Sequence, residues 1–291
     1  MKTIWWIGTG VMGNAMVQHL IKAGYPVNVY NRTRSKTDNL VELWATYIDS
    51  IAELSANSDI IISIIWDPKN VEETYFGPDG IIENAKQGSI LVDMTTTKPS
   101  LAKKIYESAK VKWISALDAP VSGWDTWAIN GTLSIMVGWD MNVFTSLSQI
   151  FWLMGKSITY IGSAGKGQDT KMANQIAIAG NTIGMTESLL YAEKAWLDLP
   201  TTIDVLNAGW AMSWGYLNLA PRILEKDFDT YFFIKHFVKD MGIALDECKT
   251  MWITLPGLNL VNDLYTNMMN HWEGNLGMQS LIIELKRMNN M

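Results

Sequence analysis

Lys171 stands three residues before Asn174 and four before Gln175, in the run Gly167-Gln168-Asp169-Thr170-Lys171-Met172-Ala173-Asn174-Gln175. If the run is helical, those intervals put the three side chains on one face. The residues around them are apolar: Met172, Ala173, Ile176, Ala177 and Ile178. An ammonium on a mostly buried helix is costly unless it has a partner or a task. Desolvation is also the usual way to make a lysine useful as an acid or base. A lysine snorkelling to the surface is the plainer alternative.

A second constellation opens the chain. The apolar run Met1 to Ile7 is followed at once by Gly8-Thr9-Gly10-Val11-Met12-Gly13, then by Ala15, Met16, Leu20 and Ile21 at the spacing of one helix face. Strand, glycine turn and helix in that order make a cradle for a dinucleotide pyrophosphate. Gly8 permits the tight turn, Gly10 lets backbone approach the phosphates, and Gly13 lets helix pack on strand. Val11 and Met12 lie at the helix start, whose unpaired N–H groups and positive partial charge face the anion.

The cofactor is chosen further on. An acid about 20 residues beyond the glycines would hold a ribose 2′-hydroxyl. Here the chain reads Asn31-Arg32-Thr33-Arg34-Ser35-Lys36, with no acid before Asp38. Asn31, Arg32 and Thr33 suit a 2′-phosphate, which an Asp would repel, so NADP is expected and NAD is possible. A solvated polar loop is the alternative. A third segment, Asp118-Ala119-Pro120-Val121-Ser122-Gly123, sets small residues near strand ends. It reads either as N–H groups and a hydroxyl for a carboxylate, or as a tight structural turn. His19, His236, His271 and Cys248 have no ligand spacing, so no metal is expected.

Strand-like and helical runs alternate through the first half. Thr3–Ile7, Pro26–Tyr30, Ile60–Ile65, Ser89–Met94, Ile114–Ala116, Thr132–Val137 and Ser157–Tyr160 read as strands, with Asn14–Ala23 as the first helix. The pattern predicts βαβ units and a doubly wound parallel sheet. After Gly162 the alternation stops. Residues 167–195 read as one long, deeply buried helix, followed by helices over Thr201–Asn207, Phe233–Lys249, Pro256–Asn270 and Met278–Met288. The expected architecture is α/β, with a Rossmann-type dinucleotide domain over residues 1–162 and an all-helical domain over 163–291.

The bulk composition narrows the partners. The 291 residues carry a net charge of −6, which argues against a nucleic-acid groove but leaves room for small anionic substrates. A single cysteine fits a reducing compartment. The apolar start lacks a cleavage pattern, and no run approaches the roughly 20 apolar residues of a membrane span. A soluble cytoplasmic protein is expected.

Together, the N-terminal GxGxMG, the Asp-Ala-Pro-Val-Ser-Gly segment, the Gly-x-x-x-Lys-x-x-Asn stretch and Lys239-Asp240 within Phe232–Gly242 resemble the β-hydroxyacid dehydrogenase family over essentially the whole chain. That family includes 3-hydroxyisobutyrate dehydrogenases and the glyoxylate and succinic semialdehyde reductases; 6-phosphogluconate dehydrogenases are more distant. The resemblance implies an active site in the cleft between the two domains. Lys171 resembles the catalytic lysine, and Ser122, Gly123 and Asn174 the residues that hold a substrate carboxylate. Thr95 matches a cofactor- or substrate-side hydroxyl, Lys239 a residue near the nicotinamide, and Phe232 and Asp240 the cleft wall. A small carboxylate-bearing substrate and a homodimer or homotetramer are the corresponding expectations.

The chain departs from that family in its aromatics. It has 14 tryptophans against 10 tyrosines and 7 phenylalanines. The family reads Ser-Gly-Gly where this chain reads Ser122-Gly123-Trp124, and many members have glycine at Trp127, Trp139, Trp196 and Trp252. The readings that follow are an aromatic-lined pocket with altered substrate choice, an engineered or inactive variant such as a non-catalytic NADP-binding protein with a Trp-blocked pocket, or errors in the recorded sequence. An imine reductase on the same architecture is a further alternative, against which Lys171 argues.

Overall fold

The computed structural model describes residues 2–230 and 232–291. The chain divides into two compact units, Met1–Lys171 and Met172–Met291, with the division inside one long helix.

The first unit holds the strands β1 (Ile4–Ile7), β2 (Val27–Tyr30), β3 (Thr46–Tyr47), β4 (Ile60–Ser63), β5 (Ile90–Asp93), β6 (Ser115–Asp118), β7 (Val121–Ser122), β8 (Leu133–Gly138) and β9 (Gly155–Gly162). Its helices are α1 (Val11–Lys22), α2 (Asp38–Glu42), α3 (Ile51–Ala56), α4 (Pro68–Phe76), α5 (Ile81–Asn84), α6 (Pro99–Val111), α7 (Asp125–Ile129) and α8 (Met141–Met154). The long helix α9 (Lys166–Lys194) starts here and runs into the second unit. There follow α10 (Leu199–Ala208), α11 (Trp214–Asn218), α12 (Ala220–Leu224), α13 (Ile234–Thr250), α14 (Pro256–Asn270) and α15 (Leu281–Met288).

The sheet order is β3-β2-β1-β4-β5-β6-β8-β7, with β9 pairing β8. From β3 to β6 every pairing is parallel, the doubly wound arrangement expected from alternating strands and helices. Beyond β6 the sheet departs from that expectation: β8 runs antiparallel to β6 and to β7, while β9 runs parallel to β8. The chain between β6 and β8 is taken up by β7 and the short helix α7, and β8 turns back to pair antiparallel with β7 instead of returning through a full crossover helix.

The central strands are apolar without alternation because both faces are covered. Ile4, Trp6, Val29, Ile62 and Val92 pack into one core, which also takes in Met16 and Leu20 of α1 and Phe151 of α8. Trp5, Ile7, Ile61 and Leu91 point the opposite way, into a second core with Leu54, Tyr75 and Ile105. The second unit has its own core, centred on Phe237, Met241, Val261 and Tyr265. The helix α9 is not deeply buried throughout: Ala173, Ala177, Gly180, Gly184 and Tyr191 form an exposed stripe opposite its buried face. Met278–Ser280 is a 3₁₀ turn leading into α15, so the predicted C-terminal helix starts late. Among the described residues, no helix is long and apolar enough to cross a membrane.

Candidate active site

The carboxyl ends of β1, β4, β5 and β6 meet at one edge of the first unit's sheet and carry Gly8, Ser63, Asp93 and Asp118. In open α/β sheets this is the edge where ligands bind. Gly8 has φ +96°, and a Cβ there would overlap the carbonyl oxygen of Ile64. A Cβ on Gly13 would overlap the carbonyl of Gly8, so the turn and the first turn of α1 close on each other only with glycine at both places. Gly10 caps α1 without a side chain, and a Cβ on it would meet nothing within 4 Å. The first glycine and the third therefore serve the fold, and the second leaves open space at the helix N-terminus. That cradle fits a pyrophosphate, and the buried hydroxyl of Thr9, which has no hydrogen-bond partner among the described residues, lies in the same turn.

Asn31 ties this turn to the end of β2. Its Oδ1 accepts from the Thr9 N–H at 3.1 Å and its Nδ2 donates to the Thr33 carbonyl at 2.8 Å. Arg32 and Thr33 are exposed beside it, and Arg34 lies over the Tyr47 ring, 4.7 Å from its centroid. Val11 is exposed and Met12 buried at the start of α1.

The ends of β5 and β6 are joined to α9 by side chains for which the sequence had suggested no role. Asp118 is buried and accepts from the Gly165 N–H at 2.8 Å and the Gln168 N–H at 2.9 Å. Burial pushes its carboxyl up from the ordinary aspartate range, against the two N–H bonds that favour the anion. Gln168 is completely buried: its Nε2 donates to the Thr95 carbonyl at 2.7 Å and its Oε1 accepts from the Thr97 N–H at 3.0 Å. Lys171 follows one helical turn later and is 6% exposed. Thr95 is itself buried, its Oγ1 accepting from the Ile65 N–H at 2.8 Å.

Asp93 closes the group. Its Oδ1 accepts from Ser63 Oγ at 3.0 Å and from the Thr95 N–H at 3.1 Å, and Ser63 is also 2.9 Å from the Tyr75 hydroxyl. Burial pushes Asp93 up to about 6, with the Asp118 charge adding to the rise against the bonds from Thr95 and Ser63. The Tyr75 hydroxyl is raised by its burial and by the Asp93 charge. Nearby, β7 ends at half-buried Ser122, and Gly123 follows with φ +107°. A Cβ on Gly123 would stand 2.7 Å from the Cβ of Trp127, and Trp124 caps the short helix α7.

In the second unit, Asn174, Gln175, Asp240 and Lys239 form one chain of contacts. Asn174 donates to Gln175 at 2.8 Å and Gln175 to Asp240 at 2.7 Å, while Lys239 pairs with Asp240 at 3.0 Å. Phe232 lies among rings instead, stacked on His236 at 6.1 Å and edge-on to Phe237 at 5.8 Å. Burial pulls His236 down to about 4, with the Lys239 charge in the same direction and Asp240 opposing. Gln175 had been set on the face of Lys171 and Asn174, whereas Gln168 had been visible in the sequence only as a member of the helical run.

Comparison with known proteins agrees with this geometry. Residues 3–162 match the family model for the NAD binding domain of 6-phosphogluconate dehydrogenase. Residues 165–285 match that for the NAD-binding domain of NADP-dependent 3-hydroxyisobutyrate dehydrogenase. An uncharacterized oxidoreductase of Bacillus subtilis, YkwC, is 50% identical over 96% of this chain and 97% of its own length. A probable 3-hydroxyisobutyrate dehydrogenase-like protein 1, mitochondrial, of Arabidopsis thaliana is 45% identical over 99% of this chain and 86% of its own. The solved 3-hydroxyisobutyrate dehydrogenase of Mycobacterium tuberculosis with L-serine superposes with a TM-score of 0.92 at 25% identity, over 98% of this chain and 99% of that one. The two family models together span nearly the whole chain, and the chain belongs to the β-hydroxyacid dehydrogenase family of NAD(P)-dependent oxidoreductases.

Proposed function

We propose that the protein interconverts a short semialdehyde, or glyoxylate, with the corresponding hydroxyacid, using NADP(H), and that Lys171 is its general acid and base. One observation carries the reading. Lys171 is buried one helical turn beyond Gln168, and Asp118 and Gln168 bind the start of α9 to the ends of β6 and β5, on the same sheet edge as the dinucleotide turn that follows β1. The Mycobacterium tuberculosis dehydrogenase was solved with L-serine, a short hydroxyacid, which is in keeping with a substrate of this size.

Gly8, Gly10 and Gly13 would hold the pyrophosphate, and Arg32 and Thr33 the 2′-phosphate. When bound, the reduced nicotinamide supplies a hydride to the carbonyl carbon. The Lys171 ammonium donates a hydrogen bond to the carbonyl oxygen and passes it a proton as negative charge develops there. In the oxidation direction the neutral amine takes the hydroxyl proton. The Ser122-Gly123 backbone holds the substrate carboxylate, which fixes the reacting carbon and removes the entropy of finding it, and Asn174 is the candidate orienting amide one turn beyond Lys171 on α9.

NADPH absorbance followed with glyoxylate and with succinic semialdehyde tests the assignment. Lys171→Ala should lower kcat by roughly 10²- to 10⁴-fold, with NADPH binding retained. Equal turnover by the wild type and the variant would show that Lys171 has no acid–base role.

A further inference from the structure

Among the described residues, eight that are not glycine have positive φ, and six of them are tryptophan: Trp44, Trp113, Trp139, Trp196, Trp252 and Trp272. For a bulky side chain this region is sterically disfavoured, because Cβ approaches its own backbone. Five of the six share one setting. Each is the second residue past the end of a helix: α2 before Trp44, α6 before Trp113, α9 before Trp196, α13 before Trp252 and α14 before Trp272. In each, the tryptophan N–H bonds a carbonyl three residues back and the next N–H one five residues back. Trp44 bonds Val41 and Ala45 bonds Leu40; Trp196 bonds Glu193 and Leu197 bonds Ala192. Trp113, Trp252 and Trp272 repeat the pattern. This paired closure is the helix ending that calls for glycine.

The chain contains its own control. α1 ends in the same way, with Gly24 N–H bonding Ile21 and Tyr25 N–H bonding Leu20, and there the positive-φ residue is glycine. Nothing in the surroundings rewards an indole at the other five ends, for these tryptophans are between 76% and 94% exposed. Trp139 differs in place but not in kind. It sits at φ +130° between β8 and α8, with its ring centroid 3.9 Å from that of Tyr106, closer than the roughly 4.5–7 Å at which aromatic pairs settle. Its buried indole N–H has no hydrogen-bond partner among the described residues. Trp6 shows what a native indole looks like here: fully buried on a strand, its N–H donating to the Gly8 carbonyl at 2.8 Å.

We propose that these six positions are glycine in the protein made by the cell that carries the gene, through a UGA codon that this cell reads as glycine. UGA differs from the tryptophan codon UGG in its third base and from the glycine codon GGA in its first, so one reassigned codon accounts for all six positions. Selection on the fold then acts on glycine: five helix stops and one strand-to-helix turn. True tryptophans such as Trp6 are encoded by UGG.

The coding sequence and the native protein test this directly. UGA at the six positions with UGG at Trp6, together with tandem mass spectra of the natively purified protein reading glycine at residues 44, 113, 139, 196, 252 and 272, is the expected result. UGG at these positions, or tryptophan in those peptides, overturns the proposal. The physical premise has its own test in two recombinant full-length chains. The variant carrying all six Trp→Gly substitutions should melt higher than the tryptophan chain, and an equal or lower midpoint overturns the claim that the backbone at these sites demands glycine.

Discussion

The Asp118 carboxylate accepts the backbone N–H of Gln168 at 2.9 Å, across 50 positions of sequence. The carboxylate thus caps the first turn of α9 from the end of β6 while the Gln168 side chain clamps the backbone beyond β5. The two residues together set where the helix bearing Lys171 begins.

Removing the clamp should be costly. Gln168→Ala leaves the Thr97 N–H and the Thr95 carbonyl buried and unpaired, at about 1–3 kcal/mol for each group. Urea denaturation should show a lower midpoint with an unchanged slope. Gln168→Glu keeps an acceptor for Thr97 but sets a fully buried carboxylate against the Thr95 carbonyl, so its midpoint should be no higher than that of the alanine variant at neutral pH.

Two glycines of the same turn should answer differently to the same change. Gly13→Ala forces a methyl onto the Gly8 carbonyl and should destabilise the first unit by about 1–3 kcal/mol or more. Gly10→Ala meets no atom within 4 Å, so its melting temperature without cofactor should match wild type. Its affinity for NADPH should nevertheless drop, because the second glycine is where backbone approaches the pyrophosphate. A thermal shift series with and without NADPH separates the two effects.

The choice of cofactor should depend on Arg32. Replacing it with alanine removes a charge-assisted bond to the 2′-phosphate, an interaction of about 1.5–3 kcal/mol. The ratio of kcat/KM for NADPH to that for NADH should therefore fall roughly ten- to hundredfold, almost entirely through KM for NADPH. An unchanged ratio would place the discrimination elsewhere.

Stability against pH should reveal two buried groups of opposite sign. Asp93 is raised to about 6 in the folded protein, so its contribution is complete below about pH 4 and is lost as pH rises through 6, by roughly 3 kcal/mol. His236 is lowered to about 4, so its contribution is complete above about pH 6.5 and is lost as pH falls through 4. The two slopes oppose each other between pH 4 and 6. Asp93→Asn should leave a stability that climbs with pH in that window, and His236→Gln one that declines. Denaturant midpoints measured at half-unit intervals would check both.

Much of the fold was legible because its signals are local. Continuous apolar runs mark the buried strands β1, β4 and β5, and the helix α14 begins at its first-turn proline, Pro256, as the pattern predicts. The two-residue strands β3 and β7 were missed because so short a segment has no period of its own. The reversal of β8 was missed because strand direction is decided by the partner available in the folded sheet, here β7, and not by the strand's own residues. The short helices α11 and α12 were likewise hidden, being held by their packing rather than by an extended pattern.

By itself the sequence determined the dinucleotide turn, the order of sheet then helices, and the family, since glycine spacing and hydrophobic period act over a few residues. The tertiary structure alone decided that Asp118 and Gln168 bind the start of α9 to the strand ends, because those bonds go to backbone groups that carry no residue signature. It alone decided, too, that six tryptophans occupy left-handed backbone, because φ is a property of how a helix is closed rather than of the residue placed there.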